Sequence, residues 1–124
     1  MKNKSRRRAN ASIAVASLSQ PERAAPTAPL FSLGQIVATP GALKLLTQFG
    51  VLPLTLLQRH ISGDWGDLRS SDRFTNNLAL VNGDRLLSSY TVGEEGKVDP
   101  EGQRVWIITE WDRSVTTLLL PSEY

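Results

Sequence analysis

The spacing of apolar residues changes along this chain, and each change marks a different kind of element. Between Leu30 and Val37, Phe31, Leu33, Ile36 and Val37 surround Gly34 without helical spacing, which predicts a short extended segment. Thr39-Pro40 reads as a helix start. The threonine hydroxyl is placed to cap, and proline falls at the first helical position, where its missing N–H costs nothing. Leu43, Leu45, Leu46 and Phe49 form the apolar stripe of that helix, and Gly50 ends it. Pro53 repeats the signal for a second helix, with Leu54, Leu56, Leu57 and Ile61 as its buried side. A third helix is expected from Ser70 or Ser71 to about Asn82. Asp72 lies near its positive end, Phe74, Leu78 and Val81 share one face, and Gly83 supplies the stop.

After the Asn82-Gly83-Asp84 turn the pattern becomes that of strands. Leu86 to Val92, Arg104 to Trp111 and Ser114 to Leu120 are rich in β-branched, aromatic and aliphatic residues. GEEGKVDPEG, Gly93 to Gly102, is a polar connection, and Asp112-Arg113 is a tight turn. A two-residue turn sets Glu110 opposite Val115, Ile108 opposite Thr117 and Trp106 opposite Leu119. Val105, Ile107, Thr109, Trp111, Leu118 and Leu120 then point to the other side, so both faces are largely apolar. Helices can cover one face. The other needs the Leu30 to Val37 segment, a partner, or a second copy. The expected fold is α+β, with three short helices packed on a three-stranded antiparallel β-meander in a single domain, residues 30–124.

Charge changes the picture for residues 1–29. Lys2, Lys4, Arg6, Arg7, Arg8 and Arg23 against Glu22 give this stretch +5; the whole chain carries +2, so the remainder is −3. The basic pI of about 9.3 therefore belongs to the tail, and the mildly acidic body is poorly suited to gripping phosphates with its own surface. MKNKSRRR followed by ANASIAVASLSQ has the outline of a secretory leader, but its apolar part is short and broken by serine. The expectation is a disordered basic tail on a cytoplasmic protein, followed by the proline-rich linker PERAAPTAP. No stretch reaches the ~18 apolar residues of a membrane span. With no cysteine, disulfides, thiolate metal sites and cysteine nucleophiles are excluded.

Candidate chemistry concentrates in HISGDWGD, His60 to Asp67, between the second and third helices. His60 precedes Asp64 by four residues, and an imidazole beside a carboxylate suits acid–base work near neutral pH. The competing reading is a histidine favoured by a helix C-terminus. Asp64, Asp67, Glu110 and Asp112 together would suit a hard cation such as Mg²⁺, and hence a nuclease or phosphohydrolase. The plainer alternative is a turn in which Arg113 answers Asp112 or Glu110. The two glycines of GDWGD permit close approach to a phosphate, but the motif lacks a P-loop lysine and the GxGxxG spacing. The alternative is a tight loop in which Trp65 plugs into the core and Asp64 bonds backbone N–H groups.

LGQIVATPGAL, RHISGDWGD and WIITEWDRSVTTLLLPSEY resemble a family of small proteins encoded on bacterial plasmids and integrative elements. Its members carry labels such as "plasmid-related protein" or "type I restriction endonuclease subunit M". The resemblance runs from about Leu33 to Tyr124 and omits the tail and the GEEGKVDPEG insertion. It implies a mobile-element setting and no mechanism. The restriction label conflicts with chemistry, because a DNA methyltransferase needs a doubly wound cofactor domain and a motif that holds a flipped base.

The functional expectation is a small mobile-element accessory protein that binds another protein or itself and modulates host defence or element maintenance. Its expected anchors are Trp65, Trp106 and Trp111, because tryptophan dominates binding hot spots, with Asp112 and Arg113 as further binding residues. Two alternatives stand beside it. One is an enzyme using His60, Asp64, Asp67 and Glu110; the other is a DNA-associated factor using Lys2, Lys4, Arg6, Arg7 and Arg8. No cofactor is expected.

Overall fold

A computed structural model describes residues 28–93 and 103–124. In chain order the elements are β1 (Gln35–Ala38), α1 (Pro40–Gln48), α2 (Pro53–Ile61), α3 (Ser70–Asn82), β2 (Leu86–Thr91), β3 (Arg104–Thr109) and β4 (Val115–Leu119), closed by a 3-10 turn at Pro121–Glu123. The basic residues Lys2, Lys4, Arg6, Arg7 and Arg8, and positions 94–102 of the polar connection, lie outside the described residues.

The helices start and stop for local reasons. Thr39 Oγ1 accepts the Ala42 N–H at 3.0 Å, and Pro40 and Pro53 occupy first-turn positions of α1 and α2. α3 differs from expectation at its start: Arg69 holds the cap position and makes no side-chain cap bond. Gly83 ends α3 at φ 76°, returning its N–H to the Ala79 carbonyl. No single helix among the described residues is long and apolar enough to cross a membrane.

The fold is α+β, but the sheet has four strands, ordered β1-β4-β3-β2, and is mixed. β1 runs parallel to β4, while the two remaining pairs are antiparallel. The expected three-stranded meander is corrected by Gly34. At φ 64° it lets the chain pass against the Arg113 and Ser114 carbonyls, where a Cβ would collide with backbone. Gln35 then donates to Ser114 O at 2.9 Å, and the segment continues the sheet instead of covering a face.

The predicted register of the last hairpin holds, with Trp106 opposite Leu119 and Ile108 opposite Thr117. Its turn is longer than expected. The ladder ends at Thr109 and Thr116, and Arg113 adopts the left-handed conformation at φ 59° while its N–H returns to Glu110 O. That conformation costs a non-glycine residue about 1 kcal/mol, so Arg113 must be held there by other contacts.

All three helices pack on one face. Leu45, Leu46, Leu56 and Leu57 meet Tyr90, Val105, Ile107 and Leu118, and a second cluster joins Trp65, Ala79 and Leu86 with Phe31, Leu68 and Leu80. On the opposite face Trp106 stands edge-on to Tyr124 at 5.5 Å, and Arg85 donates to the Tyr124 hydroxyl at 2.6 Å. Ile108 and Leu119 are buried on that face, with no helix layer over them among the described residues. The helix faces also need correction: Leu43 and Leu54 are exposed, while Ala42 and His60 are buried in α1 and α2. In α3 the buried residues are Asn76 and Ala79, and Phe74, Leu78 and Val81 are exposed.

Candidate functional site

His60 is fully buried at the end of α2, and its two partners come from β2 and β3. Nδ1 lies 2.6 Å from Ser88 Oγ and Nε2 lies 2.9 Å from Thr109 Oγ1. Thr109 Oγ1 is 2.8 Å from Thr116 Oγ1, which donates to Leu33 O at 2.7 Å. Counting protons assigns the direction of the whole chain. Thr116 has one hydroxyl proton and gives it to a carbonyl, so Thr109 donates to Thr116. Thr109 must then accept from His60 Nε2–H, and Nδ1 accepts from Ser88. Every member is satisfied by a neutral imidazole.

Burial, and secondarily the charge of Arg113, pushes the His60 pKa down to about 3. A proton on Nδ1 would remove the only acceptor in the ring and leave the Ser88 proton unpaired. His60 is therefore not an acid–base partner of Asp64. Asp64 instead pairs with Arg59, Nε to Oδ2 at 2.6 Å, and accepts the Gly66 N–H at 3.1 Å. The Arg59 hydrogen bond holds the Asp64 carboxyl below its ordinary range.

The rest of the HISGDWGD bend closes a sheet edge. Ser89 donates to Trp65 O at 3.1 Å, Asp67 N–H donates to Ser89 O at 2.6 Å, and Thr91 N–H donates to the Asp67 carboxylate at 2.8 Å. Gly66, at φ 78°, lies directly against the Ser89 carbonyl, where a side chain would clash. Two residues back along β2, the Asn76 amide donates to Leu87 O and accepts Leu87 N–H at 3.2 Å. These groups occupy the outer side of β2, where a neighbour strand would pair. The two glycines of GDWGD thus serve turns and close backbone approach. Trp65, expected as a binding anchor, is buried, with its Nε1–H donated to Asn77 Oδ1 at 3.0 Å.

The hairpin tip is held by carbonyls instead of carboxylates. Arg113 donates to Asp84 O at 2.6 Å, Glu110 O at 3.1 Å and Ala79 O at 3.3 Å, which fixes the tip beside the end of α3. Asp112 accepts the Ser114 N–H at 3.0 Å, so the expected ion pair of Arg113 with Asp112 or Glu110 is not formed. Among the described residues, no three His, Asp or Glu side chains assemble as a metal site. This corrects the cation cluster of Asp64, Asp67, Glu110 and Asp112.

The bend and the hairpin tip meet through partly buried Phe31. The Arg113 guanidinium sits 5.7 Å from the Phe31 ring centre, Phe31 stacks on Trp65 at 6.3 Å, and His60 stands edge-on to both rings. Of the three tryptophans, Trp106 is half-buried beside Tyr124, and only Trp111 is well exposed, at 67%.

Among the described residues, the face shared by Phe74, Leu78 and Val81 is an exposed apolar stripe. Phe74, Leu78 and Val81 are 64%, 46% and 83% exposed and lie at four- and three-residue spacing along α3. Between Arg73 and Asp84 the helix carries no charged side chain. An ordinary solvated helix face is rich in charge, so that gap was the signal available in the sequence. Comparison with protein-family models, curated proteins and solved structures finds no match.

Proposed function

We propose that this protein is a small accessory factor of a mobile genetic element that acts by binding another protein, with α3 as its contact surface. The exposed Phe74, Leu78 and Val81 stripe supports the reading. Its alternating four- and three-residue spacing is that of a helix seam, and its lack of charge matches the core of a binding interface. Trp111, on the tip fixed beside the end of α3, adds an aromatic anchor of the type enriched in hot spots. The partner that fits is an amphipathic helix presenting its own apolar face. The mobile-element setting and a role in host defence or element maintenance rest on the family resemblance. The enzyme alternative has no assembled site behind it, since His60 is buried and Asp64 and Asp67 are committed to the bend.

Full-length protein used as bait in a bacterial host lysate tests this reading. A partner retained by wild type and by Leu54→Asp, but lost by Leu78→Asp, is the expected result. With the purified partner, calorimetry should show at least about a 30-fold loss for Leu78→Asp. Equal retention by all three proteins would discard α3 as the contact surface.

A further inference from the structure

The two edges of the sheet are treated in opposite ways. The free side of β2 is closed at Leu87, Ser89 and Thr91 by Asn76, the Trp65 and Asp67 backbone, and the Asp67 carboxylate. Among the described residues nothing pairs with the outer side of β1. Gln35 and Thr39 donate inward to β4, so alternation turns the N–H and C=O of Ile36 and Ala38 outward. β1 also lacks the usual protection of an edge: it has no lysine, proline or other charge, and Ile36 and Val37 are 49% and 38% exposed.

We infer that β1 is a self-association edge, which pairs antiparallel with β1 of a second copy about a twofold axis at Val37 and joins two sheets into one of eight strands. The geometry favours a copy over a foreign peptide. Ile36 and Val37 project from opposite faces of a short strand, and a twofold axis at Val37 sets that side chain against its own copy and Ile36 beside Ala38, apolar against apolar on both faces. The register follows from the outward groups. With Val37 opposite its own copy, Ile36 of each chain exchanges both bonds with Ala38 of the other, which satisfies all four outward groups of each copy. Centring on Ile36 would instead oppose Ala38 to Gly34, whose φ of 64° is not extended. A four-residue edge is small, so the dimer should form and dissociate with concentration.

α3 packs beside β2, at the other end of the strand order. Pairing through β1 therefore leaves the two α3 stripes at opposite ends of the joined sheet, where a partner with two binding segments would gain avidity.

The chain has no cysteine, so single-cysteine variants of the full-length protein read the register directly. In the proposed pairing Val37 and its copy form a non-hydrogen-bonded pair with Cα atoms about 4.5 Å apart, within disulfide range. Val37→Cys should cross-link under mild oxidation, and Ile36→Cys should not. By light scattering on a sizing column, wild type should dimerise with rising concentration. Val37→Lys should weaken the dimer about tenfold or more with an unchanged melting temperature, and Ile36→Lys supplies the same test if Val37→Lys fails to fold. Wild type that stays monomeric up to about 1 mM overturns the inference. So does a dimer that survives both lysine variants, one that cross-links through Ile36→Cys alone, or one dissolved by Leu78→Asp instead. The lysine variants leave α3 untouched, so the fate of the α3 reading is decided separately.

Discussion

The bend from His60 to Asp67 and the outward face of α3 invert the usual division of residues. The bend is polar and glycine-rich, yet its histidine and tryptophan are buried and its aspartates bond backbone N–H groups. The face of α3 is apolar and helical in period, yet it lies in solvent. In the bend each polar group has a partner supplied by another element, so burial carries no desolvation penalty beyond what the hydrogen bonds offset. On α3 the buried side is Asn76 and Ala79, because Asn76 must face Leu87 to close the edge of β2. That requirement fixes the rotation of the helix and leaves Phe74, Leu78 and Val81 outside.

If the bend is structural, the largest stability loss should come from its tryptophan. Trp65→Ala removes a buried indole that packs in one cluster with Ala79 and Leu86 and adjoins Phe31 and Leu68, and should cost about 4 kcal/mol in urea unfolding. A loss under about 1 kcal/mol would mean that the indole is not part of the core.

His60 should come next, with a pH signature. Its folded pKa is lowered to about 3 from an unfolded value near 6.5. Between these values the unfolded chain binds more protons than the native one, so stability falls as pH falls through the window. The slope should approach about 1.4 kcal/mol per pH unit in the middle of the window. His60→Gln should cost about 3 kcal/mol at pH 7, because it breaks the Ser88 to Leu33 chain. The gap between wild type and variant should shrink toward pH 4, where charging His60 penalises only the wild type. Carboxylate titration is common to both proteins and cancels in that difference. A gap constant from pH 7 to pH 4 would contradict a buried neutral imidazole.

A smaller effect is expected at the seam between the two regions. Asn76→Ala should cost about 2 kcal/mol, because Leu87 loses both edge partners. Hydrogen exchange should show the Leu87 amide losing protection while the Ile107 amide, inside the sheet, keeps it. Unchanged exchange at Leu87 would break the link between edge closure and helix rotation.

The sequence was legible where signals are local and opaque where they are not. Thr39, Pro40, Pro53, Gly50 and Gly83 marked the helix ends because capping and φ are decided within a few residues. The register of β3 with β4 followed from a short connection and the two-residue period. β1 was missed as a strand because its neighbour is β4, about eighty positions away, and four residues carry too little periodicity to announce themselves. The partners of His60 were missed for the same reason: Ser88, Thr109 and Thr116 are ordinary strand hydroxyls until the sheet aligns them. Period alone located the apolar side of α3 but could not say whether that side faced the core.

The outward face of α3 should then give the smallest stability effect of all. Phe74→Ser and Val81→Ser each replace an exposed side chain and should stay within about 0.5 kcal/mol of wild type. Leu46→Ser, on the buried face of α1, should lose about 3 kcal/mol or more and calibrates the comparison. A substantial loss at Phe74 or Val81 would mean that the stripe packs against another part of its own chain, which would remove it as a docking surface. Unchanged stability would leave the exposed apolar area without an internal purpose. The same variants then become clean probes of binding, because any loss of a partner cannot be blamed on unfolding.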